Sequence, residues 1–118
     1  MNKHTTSPFV KKLEIHWAKG KFVCIGLDPT PEKLPTTITK KYRTIDEQYF
    51  QFNKAIIDST HDLVCAYKPQ VAHYEERGVL GWRALIKTRT YLLEHFPQIP
   101  VILDAKRADI GSTNDSYV

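Results

Sequence analysis

The run from Val101 to Thr113, VILDAKRADIGST, gathers Asp104, Lys106 and Asp109 behind an apolar stretch. Two carboxylates and an ammonium at that spacing can build a charged catalytic site, in which the lysine supplies positive charge and a transferable proton. Side chains alternate across a strand, so Asp104 and Lys106 project from one face and Asp109 falls beyond the strand end in a loop. Val101, Ile102 and Leu103 predict a strand buried on both sides, and Pro100 marks its entry into the sheet. The same Asp-x-Lys spacing also describes an ordinary surface ion pair, worth about 1 kcal/mol or less. What favours a site is that two other strand-like runs end in polar residues suited to it, Asp28 and Lys68.

The elements that must position these residues alternate along the chain. Ser7 before Pro8 reads as an N-cap with proline at the first helical position, and Phe9, Leu13 and Trp17 recur behind it in a short amphipathic helix ending near Gly20. Phe22 to Asp28 reads as a buried strand closed by Pro29, followed by a long loop rich in Pro and Thr through Lys40. Thr44 and Glu47 fit a capping box, and Ile45, Tyr49, Phe52 and Ile56 predict a helix from about Thr44 to His61. Leu63 to Tyr67 is the second strand. It ends in Lys68-Pro69-Gln70, where the proline stops ladder pairing and is expected to expose its polar neighbours. After the turn at Arg77-Gly78, residues Trp82, Leu85, Ile86, Leu92, Leu93 and Phe96 mark a helix broken by Pro97 and Pro100. Strand, helix, strand, helix, strand is the pattern of parallel βαβ units, with active-site loops at the carboxyl ends of the strands.

Composition narrows the class. Of 118 residues, 42% are hydrophobic and 25% charged, enough apolar content for a globular core and too much for a disordered tail. The net charge of +4 comes from scattered Lys and Arg, which gives no nucleic-acid groove but suits a small anionic substrate. Cys24 and Cys65 each sit in an apolar run and are expected as buried, reduced thiols, which points to a reducing, cytoplasmic compartment. No stretch approaches the ~20 apolar residues that span a bilayer, so no membrane partner is expected. His16, His61 and His73 lack metal-ligand spacing and read as surface or loop residues. Trp17 and Trp82 read as core or interface packing, and Asp58 with Asp62 as a solvated helix face.

With three strand ends in view, the chain resembles the orotidine 5'-phosphate decarboxylase family, in its longer bacterial-type branch. The resemblance rests on GLDP at Gly26 to Pro29, YKPQVAHYEERG at Tyr67 to Gly78, and LDAKRADIGST at Leu103 to Thr113. One departure is Ala108, where that branch usually has glycine. The resemblance implies an α/β fold, a (β/α)8 TIM barrel of which residues 1–118 are the amino-terminal part, about three βα units. A full barrel needs roughly 200 to 250 residues. It also implies a homodimer acting on orotidine 5'-phosphate to give UMP, with no metal and no organic cofactor. Residue by residue, Asp28 is similar to the aspartate that binds the ribose 3'-hydroxyl, and Lys68 to the lysine that holds the ribose and the neighbouring aspartate. Asp104 matches the aspartate beside the substrate carboxylate, and Lys106 the lysine that stabilises and protonates the C6 carbanion. Asp109 and Thr113 resemble residues that reach the partner's site across the dimer. The family's phosphate-binding loops belong to its last two strands, outside this sequence.

Two other readings stay open at this point. A Mg-dependent sugar-phosphate decarboxylase of the same superfamily shares D-x-K-x-x-D, although the KPQ segment and the IGST continuation favour the nucleotide enzyme. Alternatively, the chain is an incomplete, non-catalytic barrel piece that needs complementation. Three parallel strands leave open edges, so such a piece is expected to be marginal in stability and inactive alone.

Overall fold

The computed structural model describes residues 7–105. Helix α1 (Pro8–Ala18) starts as its sequence dictates: the Ser7 side chain accepts a hydrogen bond from the Val10 amide at 3.2 Å, and Pro8 fills the first turn. Gly20, at φ 78°, turns the chain into β1 (Val23–Gly26). Strand β2 (Val64–Lys68) pairs with β1 in parallel, with Ile25 opposite Tyr67 and Gly26 opposite Lys68. Residues 101–104 lie parallel to β2 on its other side, through isolated bridges from Tyr67 to Val101 and from Gln70 to Asp104. The order is therefore β1, β2, then 101–104, all parallel, as the βαβ pattern requires.

The helical layer is α3 (Ile45–Thr60) and α5 (Gly78–His95), packed against each other and against one face of the sheet. Leu27, Ile57, Val64, Tyr67, Leu92 and Ile99 form the main core between them. A second cluster of Leu34, Tyr49, Val71, Tyr74, Ala84 and Leu85 lies under the segment that follows β2. Lys87 of α5 ties the start of α3 by bonding both Asp46, at 3.2 Å, and Glu47. Lys87 takes the Glu47 side chain and Thr44 bonds the Asp46 side chain instead of a first-turn amide, so the capping box expected from sequence does not form.

Several other expectations are corrected. The loop from Pro29 to Lys40 contains a 3-10 turn at Pro31–Lys33 and a helix, α2 (Thr36–Lys41), each opened by proline chemistry at its start. A short helix, α4 (Val71–Glu75), follows β2 directly where no helix was expected. Cys24 is exposed, along with Phe22 and Val23, because among the described residues β1 is an edge strand paired only with β2; Cys65 is buried as expected. Leu103 is half exposed for the same reason at the opposite edge, so the 101–104 segment is not buried on both sides. Trp17 and Trp82 are also partly exposed and outside the core. His16, expected at the surface, is buried, with Nδ1 2.7 Å from the Lys12 carbonyl oxygen; His61 stacks on Phe96 at 4.3 Å.

Gly81 shows how tightly α4 and α5 approach. A Cβ there would sit 1.8 Å from the Tyr74 carbonyl oxygen, which is backbone and cannot rotate aside. Helix propensity alone favours alanine over glycine by about 1 kcal/mol, but overpacking of this severity costs typically ~1 to 3 kcal/mol or more. Gly81→Ala is expected to lower the denaturation midpoint; a rise would show that α4 shifts away at no cost.

Candidate active site

The site is built at the carboxyl ends of the three parallel segments. Asp28 follows Leu27, whose amide donates to the Lys68 carbonyl at 3.1 Å and so extends the pairing of β1 to its last step. A Cβ on Gly26 would lie 3.1 Å from Asp28 Oδ2, so glycine there leaves room for the carboxylate. Asp28 Oδ1 accepts from the Gln70 backbone N–H at 2.9 Å.

Tyr67 points its side chain into the helical layer, where its hydroxyl is 2.7 Å from Thr60 Oγ1. Strand alternation then turns Lys68 to the opposite face. Its ammonium lies 3.4 Å from Asp104 Oδ2, with the lysine side chain 40% exposed and the aspartate 8%. An ion pair that wet contributes little to stability; its value is in holding two opposite charges at one place.

Asp104 is fixed by backbone as much as by side chain. Its amide donates to the Pro69 carbonyl at 3.0 Å, and its carbonyl accepts from the Val71 amide at 2.9 Å. Pro69 has no N–H to offer the ladder, and it is fully buried rather than a device for exposing its neighbours. Gln70 is likewise buried, contrary to the sequence expectation, and donates from Nε2 to Asp104 Oδ2 at 3.3 Å. Gln70 thus contacts both carboxylates, a role sequence reasoning missed. The available signal was its spacing of two from Lys68, which puts both residues on one face of an extended chain. Asp28, Lys68 and Asp104 are brought together as expected, whereas Lys106, Asp109 and Thr113 lie outside the described residues. Among the described residues, no group of three or more His, Cys, Asp or Glu side chains gathers to hold a metal ion, and no helix is long and apolar enough to cross a membrane.

A buried polar network supports this end of the sheet. Tyr74 donates from its hydroxyl to the Leu27 carbonyl at 2.7 Å, next to Asp28, and accepts from Asn53 Nδ2 at 2.9 Å. Asn53 Nδ2 also reaches Thr88 Oγ1 at 3.0 Å, which joins α3, α4 and α5 to the end of β1. Burial pushes the Tyr74 hydroxyl far above the ordinary tyrosine range, so it stays a neutral donor. Tyr74→Phe leaves the Leu27 carbonyl without that donor and Asn53 without one acceptor. It is expected to cost about 1 to 3 kcal/mol in chemical denaturation, and a loss below about 0.5 kcal/mol would show that the network carries no weight.

The chain is similar to known proteins over most of its length. The sequence profile described as "Orotidine 5'-phosphate decarboxylase / HUMPS family" matches residues 21–118. An orotidine 5'-phosphate decarboxylase of Cellvibrio japonicus is 49% identical over 110 residues, covering 92% of this chain and 39% of that protein. Its namesake in Flavobacterium johnsoniae is 46% identical over 99 residues, covering 84% of this chain and 35% of the relative. The chain therefore spans little more than a third of the curated relatives it matches. A solved structure of Leishmania donovani OMP decarboxylase superposes with a TM-score of 0.65 at 35% identity, over 92% of this chain and 37% of that one. The fold is the amino-terminal portion of that (β/α)8 barrel. With its parallel strand ends carrying Asp28, Lys68 and Asp104, the chain belongs to the orotidine 5'-phosphate decarboxylase / HUMPS family.

Proposed function

We propose that the chain supplies one wall of the active site of an orotidine 5'-phosphate decarboxylase, which releases CO2 from orotidine 5'-phosphate and leaves UMP. The observation that carries this reading is the convergence of Asp28, Lys68 and Asp104 on three adjacent parallel segments, with Lys68 and Asp104 in direct contact. The names of the relatives favour the nucleotide over a sugar phosphate.

The chemistry needs charge where charge develops. Breaking the bond between C6 and the carboxylate leaves an electron pair on a ring carbon that delocalises it poorly. Lys106, two residues past Asp104, is assigned to that carbon: its ammonium stabilises the developing anion and then delivers a proton to C6. Arginine would not serve, because it does not give up its proton. Lys68, Asp104, Lys106 and Asp109 would form a set of two cations and two anions at low net charge. Asp28 and Lys68 would hold the ribose. Asp109 and Thr113 are assigned to the neighbouring site of a homodimer, in the cytoplasm, where the reduced thiols are at home. No metal or organic cofactor is assigned a step.

Lys106→Ala in the full-length protein is expected to abolish turnover of orotidine 5'-phosphate while UMP affinity falls less than about tenfold, and wild-type turnover is expected to persist in EDTA. A variant that keeps a tenth of the activity has lost only about 1.4 kcal/mol and would remove Lys106 from the centre of the mechanism. Loss of wild-type activity in EDTA, restored by Mg2+, would favour the sugar-phosphate branch of the superfamily.

The dimer assignment has its own test. Mixing full-length Asp109→Ala with Lys106→Ala is expected to restore part of the activity, since one site of each heterodimer receives both intact residues. No recovery, with heterodimers confirmed by mass, would mean that Asp109 acts within its own chain.

A further inference from the structure

We infer that Gln70 is a positioning residue whose carboxamide fixes the direction of the Asp104 carboxylate, an assignment that rests on the decarboxylase reading above. Two donors converge on Asp104 Oδ2: Lys68 Nζ at 3.4 Å and Gln70 Nε2 at 3.3 Å. They are unequal as clamps. The Lys68 side chain is 40% exposed on a flexible four-carbon stem, whereas Gln70 is 93% buried and hydrogen-bonded at both its backbone and its side chain.

The orientation of the amide is decided by Asp104. Turning it over would aim Oε1 at a carboxylate oxygen, acceptor against acceptor. As it stands, Oε1 is buried with no hydrogen-bond partner among the described residues. A buried, unpartnered amide oxygen costs stability, so among the described residues what the glutamine side chain gains is its contact with Asp104. Gln70 is also the N-cap of α4, yet its side chain makes no cap bond. Its amide is committed to Asp104.

The geometry makes the contact separable from the rest of the site. Gln70 holds Asp28 through its backbone N–H, which survives any side-chain change except proline. Methionine has nearly the same length and no amide, so Gln70→Met removes the contact to Asp104 and the orphaned oxygen together while leaving Asp28 held. Gln70→Glu keeps the shape but turns a carboxylate oxygen toward Asp104.

The test uses the full-length protein and three measurements: kinetics on orotidine 5'-phosphate, thermal denaturation, and the 13Cγ resonance of Asp104. Gln70→Met is expected to lower kcat at least tenfold, equivalent to about 1.4 kcal/mol, with KM changed less than threefold, the melting midpoint unchanged or raised, and the Asp104 resonance displaced. Gln70→Glu is expected to lower kcat further. An active wild type whose Gln70→Met variant keeps kcat within threefold overturns the inference, as does an unmoved Asp104 resonance. A rise in KM alone would also overturn it, because Gln70 would then bind substrate rather than position Asp104. A folded wild type with no activity on orotidine 5'-phosphate would instead sink the decarboxylase reading, and a displaced Asp104 resonance in that case would still support the structural contact.

Discussion

Residues 67–71 are laced to residues 100–104 by backbone hydrogen bonds, and this parallel register is the constraint on which the site depends. The Tyr67 amide donates to Pro100, Ile102 to Tyr67, Asp104 to Pro69 and Val71 to Asp104, at 2.8 to 3.1 Å. Side chains on extended chain alternate between faces, so a slip of one residue would turn Asp104 away from Lys68 and Gln70. The register places the carboxylate before any side-chain attraction acts. The ion pair and the amide contact then refine its direction.

What holds that register is the helical layer. Tyr67 anchors the face opposite Lys68 by packing with Ile57, Leu92 and Ile99, and its hydroxyl meets Thr60. The second cluster holds the turn after β2 from below, with Tyr49 edge-on to Tyr74 at a ring separation of 6.2 Å. Tyr74 links this cluster to the Leu27 carbonyl beside Asp28. The close approach allowed by Gly81 brings α5 against the backbone of Tyr74. Packing, a buried polar network and one missing side chain therefore serve the same end, a fixed floor under the charged residues.

Exposed apolar side chains fall both at the flanks of the sheet and on the helices. Phe22 and Val23 lie at one flank of the sheet and Leu103 at the other, while Trp17, Trp82 and Ile86 are on helices. The flanks of the sheet are where a barrel continues in its relatives, of which this chain covers little more than a third. Burial patterns at β1 and at residues 101–104 follow from this, since an edge strand cannot be covered on sides where no neighbour is described.

The sequence by itself determined the alternation of the strands with α1, α3 and α5, the parallel character of the strands and three of the charged positions. Those follow from local rules: the Ser7-Pro8 cap, the helical recurrence of Tyr49 and Ile56, short apolar runs ending in Asp28, Lys68 and Asp104, and three motifs in order at the ends of successive strand-like runs. Tertiary structure decided what depends on distant neighbours. Glu47 left its capping box because Lys87, forty residues away, offers an ammonium. Cys24 and Cys65 sit in similar apolar runs, yet one lies on an edge strand and the other on the strand in the middle. Gln70 reads in sequence as a polar residue released by a proline, and it becomes a link between two carboxylates because parallel pairing brings Asp104, thirty-four residues on, to its side. Periodicity and capping report the turn of the chain in which they occur, whereas pairing partners and burial are properties of the assembled sheet.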